Sequence, residues 1–192
     1  DGSGWRTLRY KPFPGTFWPT NGSADDVMIR LPEKFRIDEL GRFSREVYKL
    51  NLSILEAALC AGPLRPLDRP VEAVDEGLAH IDLNGDGHVG GVVSRILRLP
   101  SHFSGKASDV PVRRYLYPAG TEFLHTVRYL DPNAASFRAL RMKELRYSKK
   151  VEELDLWAIN RAYENELNEK ERGKVPRYRG SALVGLRNNF GW

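Results

Sequence analysis

Between Asp82 and Val89 the chain reads Asp-Leu-Asn-Gly-Asp-Gly-His-Val, which puts oxygen-bearing side chains at alternate positions and a glycine directly after them. In a calcium loop of the EF-hand type, the first, third and fifth residues supply side-chain oxygens. The sixth is a glycine at a sharp turn, and the seventh offers its carbonyl. Asp82, Asn84, Asp86, Gly87 and His88 fill those places in order, and Val89 suits the apolar eighth. The twelfth position, where a bidentate glutamate should close the sphere, is Val93. Calcium binding by the segment 82–93 therefore needs a ligand from elsewhere, a water or a distant carboxylate, and Glu72, Asp75 and Glu76 are near in sequence. The competing reading is a tight turn, because Asn-Gly and Asp-Gly are strong short hairpin signals and both occur here. The two readings can coexist.

Around this loop the chain is long enough for one domain with extended arms: 192 residues, 41% hydrophobic and 29% charged. No apolar run approaches the ~20 residues that a membrane span needs. The net charge of +5 is modest and regional, with basic stretches at 138–150 and 172–187. Arg138, Arg141, Lys143, Arg146, Lys149 and Lys150 with Tyr147 among them could meet phosphates, but Glu144, Glu152, Glu153 and Asp155 dilute the patch. Nucleic acid is accordingly disfavoured as a partner.

The lone cysteine, Cys60, excludes an intrachain disulfide, a multi-cysteine zinc site and C-x-x-C-H haem attachment within these residues. Its apolar helical setting predicts a buried, inert thiol. The chain starts Asp-Gly-Ser-Gly without methionine, as signal-peptide removal would leave it, and its final Asn-Asn-Phe-Gly-Trp reads as a segment continuing into structure. Phe190 and Trp192 are expected to be packed.

Residues 1–23 alternate prolines with Trp5, Tyr10, Phe13, Phe17 and Trp18, which predicts an extended arm lying on a surface. A domain over 24–172 and a basic, irregular tail over 173–192 follow. Within the domain, 27–32 reads as a strand ended by Pro32, and Ser44–Ala61 as an amphipathic helix stopped by Gly62-Pro63. Residues 71–80 suggest a short helix entering the calcium-type loop. A hairpin is expected from Val110–Tyr117 and Thr121–Leu130 around Pro118-Ala119-Gly120. The periodicity of Leu140–Tyr147 does not decide between strand and helix, whereas 151–172 is helical. The fold class expected is α+β, two principal helices with a small antiparallel sheet.

The four histidines show no zinc spacing, and neither a G-x-S-x-G elbow nor a phosphate-binding glycine loop is present. Strand alternation sends His125 to one face with Phe123, Val127 and Tyr129, the setting of a hydrogen-bonded core histidine. The competing role is an axial ligand to a haem held by a partner.

Several strings together resemble uncharacterised bacterial extracytoplasmic proteins related to c-type cytochromes: Phe17–Ser23 with Asp25–Pro32, the Asp82 loop, Tyr117–Asp131 and Arg141–Glu144. The resemblance spans most of the chain. It implies an extracytoplasmic protein, in the periplasm or at the cell exterior, associated with electron transfer, with any haem supplied by a partner or by further sequence. The expected function is thus a non-catalytic binding or scaffolding module, stabilised by calcium, that packs against a c-type cytochrome or the remainder of its own chain. The alternatives are part of a haem-dependent oxidoreductase or a hydrolase completed by residues elsewhere, and third a weak nucleic-acid binder.

Overall fold

The computed structural model describes residues 2–8, 27–60, 66–135, 138–174, 179–181 and 183–192. Most of the expected aromatic arm, including Tyr10, Phe13, Phe17 and Trp18, lies outside the described residues, as does the start of the proline-rich linker. In chain order the elements are β1 (Arg6–Leu8), β2 (Val27–Arg30), α1 (Arg45–Cys60), β3 (Arg69–Asp75), β4 (Val92–Ile96), β5 (Glu122–Leu130), β6 (Arg138–Lys149), α2 (Leu156–Glu171), β7 (Arg179–Ser181) and β8 (Gly185–Arg187). Short 3-10 turns at Glu33–Arg36, Glu76–Ala79 and Gly105–Ala107 connect them.

The chain divides into two units. The first comprises Asp1–Gly4 and Leu31–Pro118, the second Trp5–Arg30 and Ala119–Trp192.

In the first unit α1 buries Val47, Leu50, Ile54, Leu55, Ala57 and Ala58, the stripe its helical spacing predicts. Ser44 starts the helix, its hydroxyl accepting the Val47 N–H at 3.2 Å. The helix packs on β3, which pairs antiparallel with β4. Phe35 and Phe103 meet edge to face at 4.9 Å in the same core. Inside it, the fully buried Asn51 donates to the Phe35 carbonyl at 3.0 Å and the Ser104 carbonyl at 3.1 Å, and accepts the Ser104 N–H at 2.8 Å. One side chain thereby satisfies three backbone groups and ties two of the 3-10 segments to α1.

The second unit is built on an antiparallel sheet of order β1-β2-β5-β6. Val27, Ile29, Phe123 and His125 are buried, with His125 opposite Val27 and Phe123 opposite Ile29. The other face carries a charged and aromatic row. Arg30 stands over the Trp5 ring at 4.6 Å and bonds Glu122 at 2.5 Å, while the Tyr147 hydroxyl donates to Glu122 at 2.6 Å. Asp155 caps α2, accepting the Ala158 N–H at 2.7 Å. Phe190 meets Tyr163 at 4.9 Å and Trp192 meets Phe123 at 5.5 Å, so both terminal aromatics are in ring contact as expected.

The α+β expectation is overturned. Strand exceeds α-helix among the described residues, and the strands form three separate antiparallel sheets, a mostly β architecture with a small helical part. Both principal helices are present, but three segments differ from expectation. Leu140–Tyr147 belongs to the twelve-residue β6, the outer strand of its sheet among the described residues. Its register slips near Val127 and Arg128, and a bulge of this kind exchanges the two faces of a strand, which erases the period-2 signal. Residues 71–75 lie in β3, because β-branched Val71 and Val74 favour a pleated surface over a helix. The Val110–Tyr117 arm forms no named strand: Tyr115 donates its N–H to the Ala58 carbonyl at 3.1 Å, and β5 takes β2 and β6 as its neighbours. Cys60, expected to be buried, is exposed at the end of α1.

Candidate metal centre

The Asp82 loop hangs between β3 and β4 in the first unit. Its backbone is folded around its own carboxylates. Asp82 Oδ1 accepts the N–H groups of Gly85 at 2.6 Å and Asp86 at 3.2 Å, and Oδ2 accepts that of Gly87 at 2.9 Å. Asp86 Oδ1 accepts the His88 N–H at 2.8 Å. Such local side-chain-to-backbone bonds are why Asp and Asn recur in tight turns. Gly87, at the sixth position, has φ of 89°, in the left-handed region a β-carbon would disfavour.

Each residue singled out in the sequence has a definite place. Asp82 is largely enclosed, its side chain 11% exposed, while Asp86 is half exposed. Asn84 accepts the Asp86 N–H at 2.9 Å and donates its amide to Asp86 Oδ2 at 2.9 Å. That amide bond, followed by the His88 N–H, holds the Asp86 carboxyl below its ordinary pKa. The His88 ring points to solvent. Val93 faces the core opposite Val74 and has no oxygen to give.

A carboxylate from before the loop lies beside it. Glu76 is fully buried, its Oε2 accepting the Leu83 N–H at 2.9 Å and its Oε1 the Gly90 N–H at 3.2 Å. Carboxylate oxygens of Glu76, Asp82 and Asp86 lie within 4.8 Å of one another. Of the three acids near in sequence, the other two are occupied: Asp75 accepts the Gly77 N–H at 2.9 Å, and Glu72 meets the Lys49 ammonium at 3.6 Å. Of the three, the fold brings Glu76 beside Asp82 and Asp86. A second feature, Arg98 Nη1 at 3.3 Å from Asp82 Oδ2, gave no sequence signal.

All of these donors are hard oxygens, the set that suits calcium or magnesium better than a soft transition metal. The residues present therefore fit a calcium ion. Asp82, Asp86 and Glu76 would hold it, and its chemistry there would be charge neutralisation and cross-linking of the loop to the 3-10 turn Glu76–Ala79.

His125 lies elsewhere, in the second unit, fully buried in the middle of β5. Its ring would have to be uncovered before it could reach a haem carried by another protein. Among the described residues no helix is long and apolar enough to cross a membrane.

Comparison with known proteins supplies the context. A family model described as a "-like lipoprotein" matches residues 1–188. An "Uncharacterized lipoprotein" of Aquifex aeolicus (strain VF5) is 44% identical over 150 residues, 78% of this chain and 22% of the relative. The chain thus spans about a fifth of the length of that curated relative. No solved structure matches. With a family model covering nearly the whole sequence, the chain belongs to this family of lipoproteins, which agrees with the extracytoplasmic location read from its resemblances.

Proposed function

We propose that the chain is a non-catalytic, extracytoplasmic binding or scaffolding module of a lipoprotein, in which the Asp82 loop takes a structural calcium ion with Glu76 as its closing ligand. The observation that carries this is the approach of three carboxylates from two parts of the chain to within 4.8 Å, one of them fully buried. Like charges so close repel, and a divalent cation relieves the repulsion. A single loop of this kind suits the calcium-rich exterior, where modules bind with Kd of about 10⁻⁴–10⁻³ M.

Calorimetric titration of the full chain with calcium tests the assignment. Binding in that range is expected, lost in Glu76→Gln and in Asp82→Asn. Because an ion acts on stability only when bound, about 2.7 kcal/mol at a hundredfold excess over Kd, each variant should also lose the calcium-dependent rise in melting temperature. No heat of binding, with equal melting in calcium and in chelator, would leave the loop as a turn.

The partner in this reading is a c-type cytochrome, supported by the resemblance of the strings around Asp25–Pro32 and Tyr117–Asp131. Affinity isolation from native membranes with a haem stain tests it. Repeated isolation without a haem-bearing protein would remove the partner but leave the calcium assignment standing.

A further inference from the structure

Two dipeptides in the Asp82 loop, Asn84-Gly85 and Asp86-Gly87, are of the kind most open to attack by the chain on itself. Glycine carries no β-carbon to hinder its nitrogen, so in a free chain the Gly85 nitrogen can reach the Asn84 side-chain carbon, and the Gly87 nitrogen that of Asp86. In the folded loop both attacking nitrogens are engaged by one side chain. Gly85 donates its N–H to Asp82 Oδ1 at 2.6 Å, and Gly87 donates to Asp82 Oδ2 at 2.9 Å. The groups under attack are held as well. Asn84 donates its amide to Asp86 Oδ2 and accepts the Asp86 N–H, each at 2.9 Å, while Asp86 Oδ1 accepts the His88 N–H at 2.8 Å. An amide nitrogen must give up its proton before it attacks, and an anion forming at either glycine would stand against the Asp82 carboxylate.

We propose that Asn84-Gly85 and Asp86-Gly87 are modification sites of this protein, and that Asp82 is the positioning residue that keeps both closed while the loop is folded. The reaction is succinimide formation. When the loop opens, the Gly85 amide nitrogen loses its proton to hydroxide and bonds to Asn84 Cγ; the bond from Cγ to Nδ2 breaks, and Nδ2 leaves as ammonia. Water then opens the imide ring at either carbonyl to give aspartate or isoaspartate, so each event consumes one water and releases one ammonia. At Asp86 the Gly87 nitrogen closes the same ring with loss of water, which hydrolysis returns, and this site isomerises without a change of mass. The first reaction adds a carboxylate beside Asp82 and Asp86, and isoaspartate in either place inserts a methylene into the backbone of the turn. The inference does not rest on a calcium ion, because the bonds to Asp82 come from the chain alone.

Peptide mapping of the full chain, aged in mildly alkaline buffer with chelator and read by mass spectrometry with an isoaspartate-sensitive fragmentation, tests it. Folded wild type should react at both positions at least about tenfold more slowly than the same chain held unfolded in urea, since several hydrogen bonds must open first. Asp82→Ala, with far-UV circular dichroism unchanged, should react at both positions at rates near those of the unfolded chain. Asp75→Ala, which removes the neighbouring bond to the Gly77 N–H and leaves those to Asp82, should stay at the wild-type rates. Exchange of the Gly85 and Gly87 amide hydrogens gives a reading free of any substitution, and in folded wild type both should be slowed relative to the unfolded chain. Equal rates in folded and unfolded wild type, an Asp82→Ala variant that stays folded and reacts as slowly as wild type, an equal rise in Asp75→Ala, or free exchange at the two glycine amides would each overturn the proposal. So would protection that appears only when calcium is added, which would make the ion and not Asp82 the guard.

Discussion

Replacing Asn51 by alanine tests the polar clamp at the centre of the first unit. The substitution removes three hydrogen bonds at once and strands the Phe35 carbonyl and both backbone groups of Ser104 in the core. Each buried polar group left without a partner costs about 1–3 kcal/mol, and the missing side chain leaves a void. Allowing for relaxation and for a water that takes over part of the bonding, the loss should come to about 3–5 kcal/mol. That is a large part of the stability of a small domain. In urea, with a slope of about 1–2 kcal/mol/M, the midpoint should fall by about 1.5–5 M. Circular dichroism at a helical wavelength reads the transition, since α1 is the helix held by the clamp. Tryptophan emission does not report on this unit directly, because Trp5, Trp18, Trp157 and Trp192 all fall in the ranges of the other unit. Asn51→Asp sharpens the test. It keeps an acceptor for Ser104 but sets a buried carboxyl against two carbonyls, so the folded-state pKa should rise. The neutral form then favours folding, and the variant should be most stable at low pH and weaken as pH climbs past the ordinary aspartate value. An alanine variant within about 1 kcal/mol of wild type would refute the clamp.

Other consequences can be measured separately. At Gly105, with φ of 68°, a β-carbon would fall inside van der Waals contact of the Ile37 carbonyl oxygen, so Gly105→Ala should lower the thermal midpoint by an amount worth about 2 kcal/mol or more. Arg98 places positive charge 3.3 Å from Asp82, so Arg98→Ala should raise calcium affinity by several-fold in the titration described above, the scale of one part-exposed ion pair. Burial around its hydroxyl, and then the bond to Glu122, pushes the Tyr147 pKa up to about 12; absorbance titration should show one late tyrosinate that returns toward the ordinary value in Glu122→Gln. Arg30 in turn holds Glu122 below the usual glutamate value. A depressed carboxyl adds stability above its unfolded pKa and loses it in acid, so the wild type's advantage over Glu122→Gln should shrink as pH falls through the folded value.

The parts of the fold legible in the sequence are those with strong local rules. Helix α1 shows an unbroken apolar stripe and a stop signal, and the Asp82 turn is specified by Asp and Gly at fixed offsets. Helix α2 was visible too, but its start depended on Asp155, a capping residue hidden among other acids. Strand pairing was not legible. Residues 27–30 showed a strand, but nothing local says that its neighbour begins at Glu122, because that choice is made by Ile29 and Phe123 packing on one face. The same reason concealed the placement of Glu76 beside the Asp82 loop. A carboxylate brought to a loop from outside it is placed by tertiary pairing, and loop spacing carries no information about it.

The order of the units along the chain bears on how the molecule is made. The second unit begins with β1 and β2, but β5, the neighbour of β2 on its other side, starts only after the first unit is complete: Arg30 and Glu122, joined in the folded protein, are 92 positions apart. At elongation rates of about 5–20 residues per second, Val27 and Ile29 wait on the order of 5–20 seconds for their neighbours Phe123 and His125. The first unit has most of its contacts available during that interval, so it is the part able to close first. The early strands then remain exposed at one end of a growing chain, a condition in which apolar β segments aggregate unless something shields them.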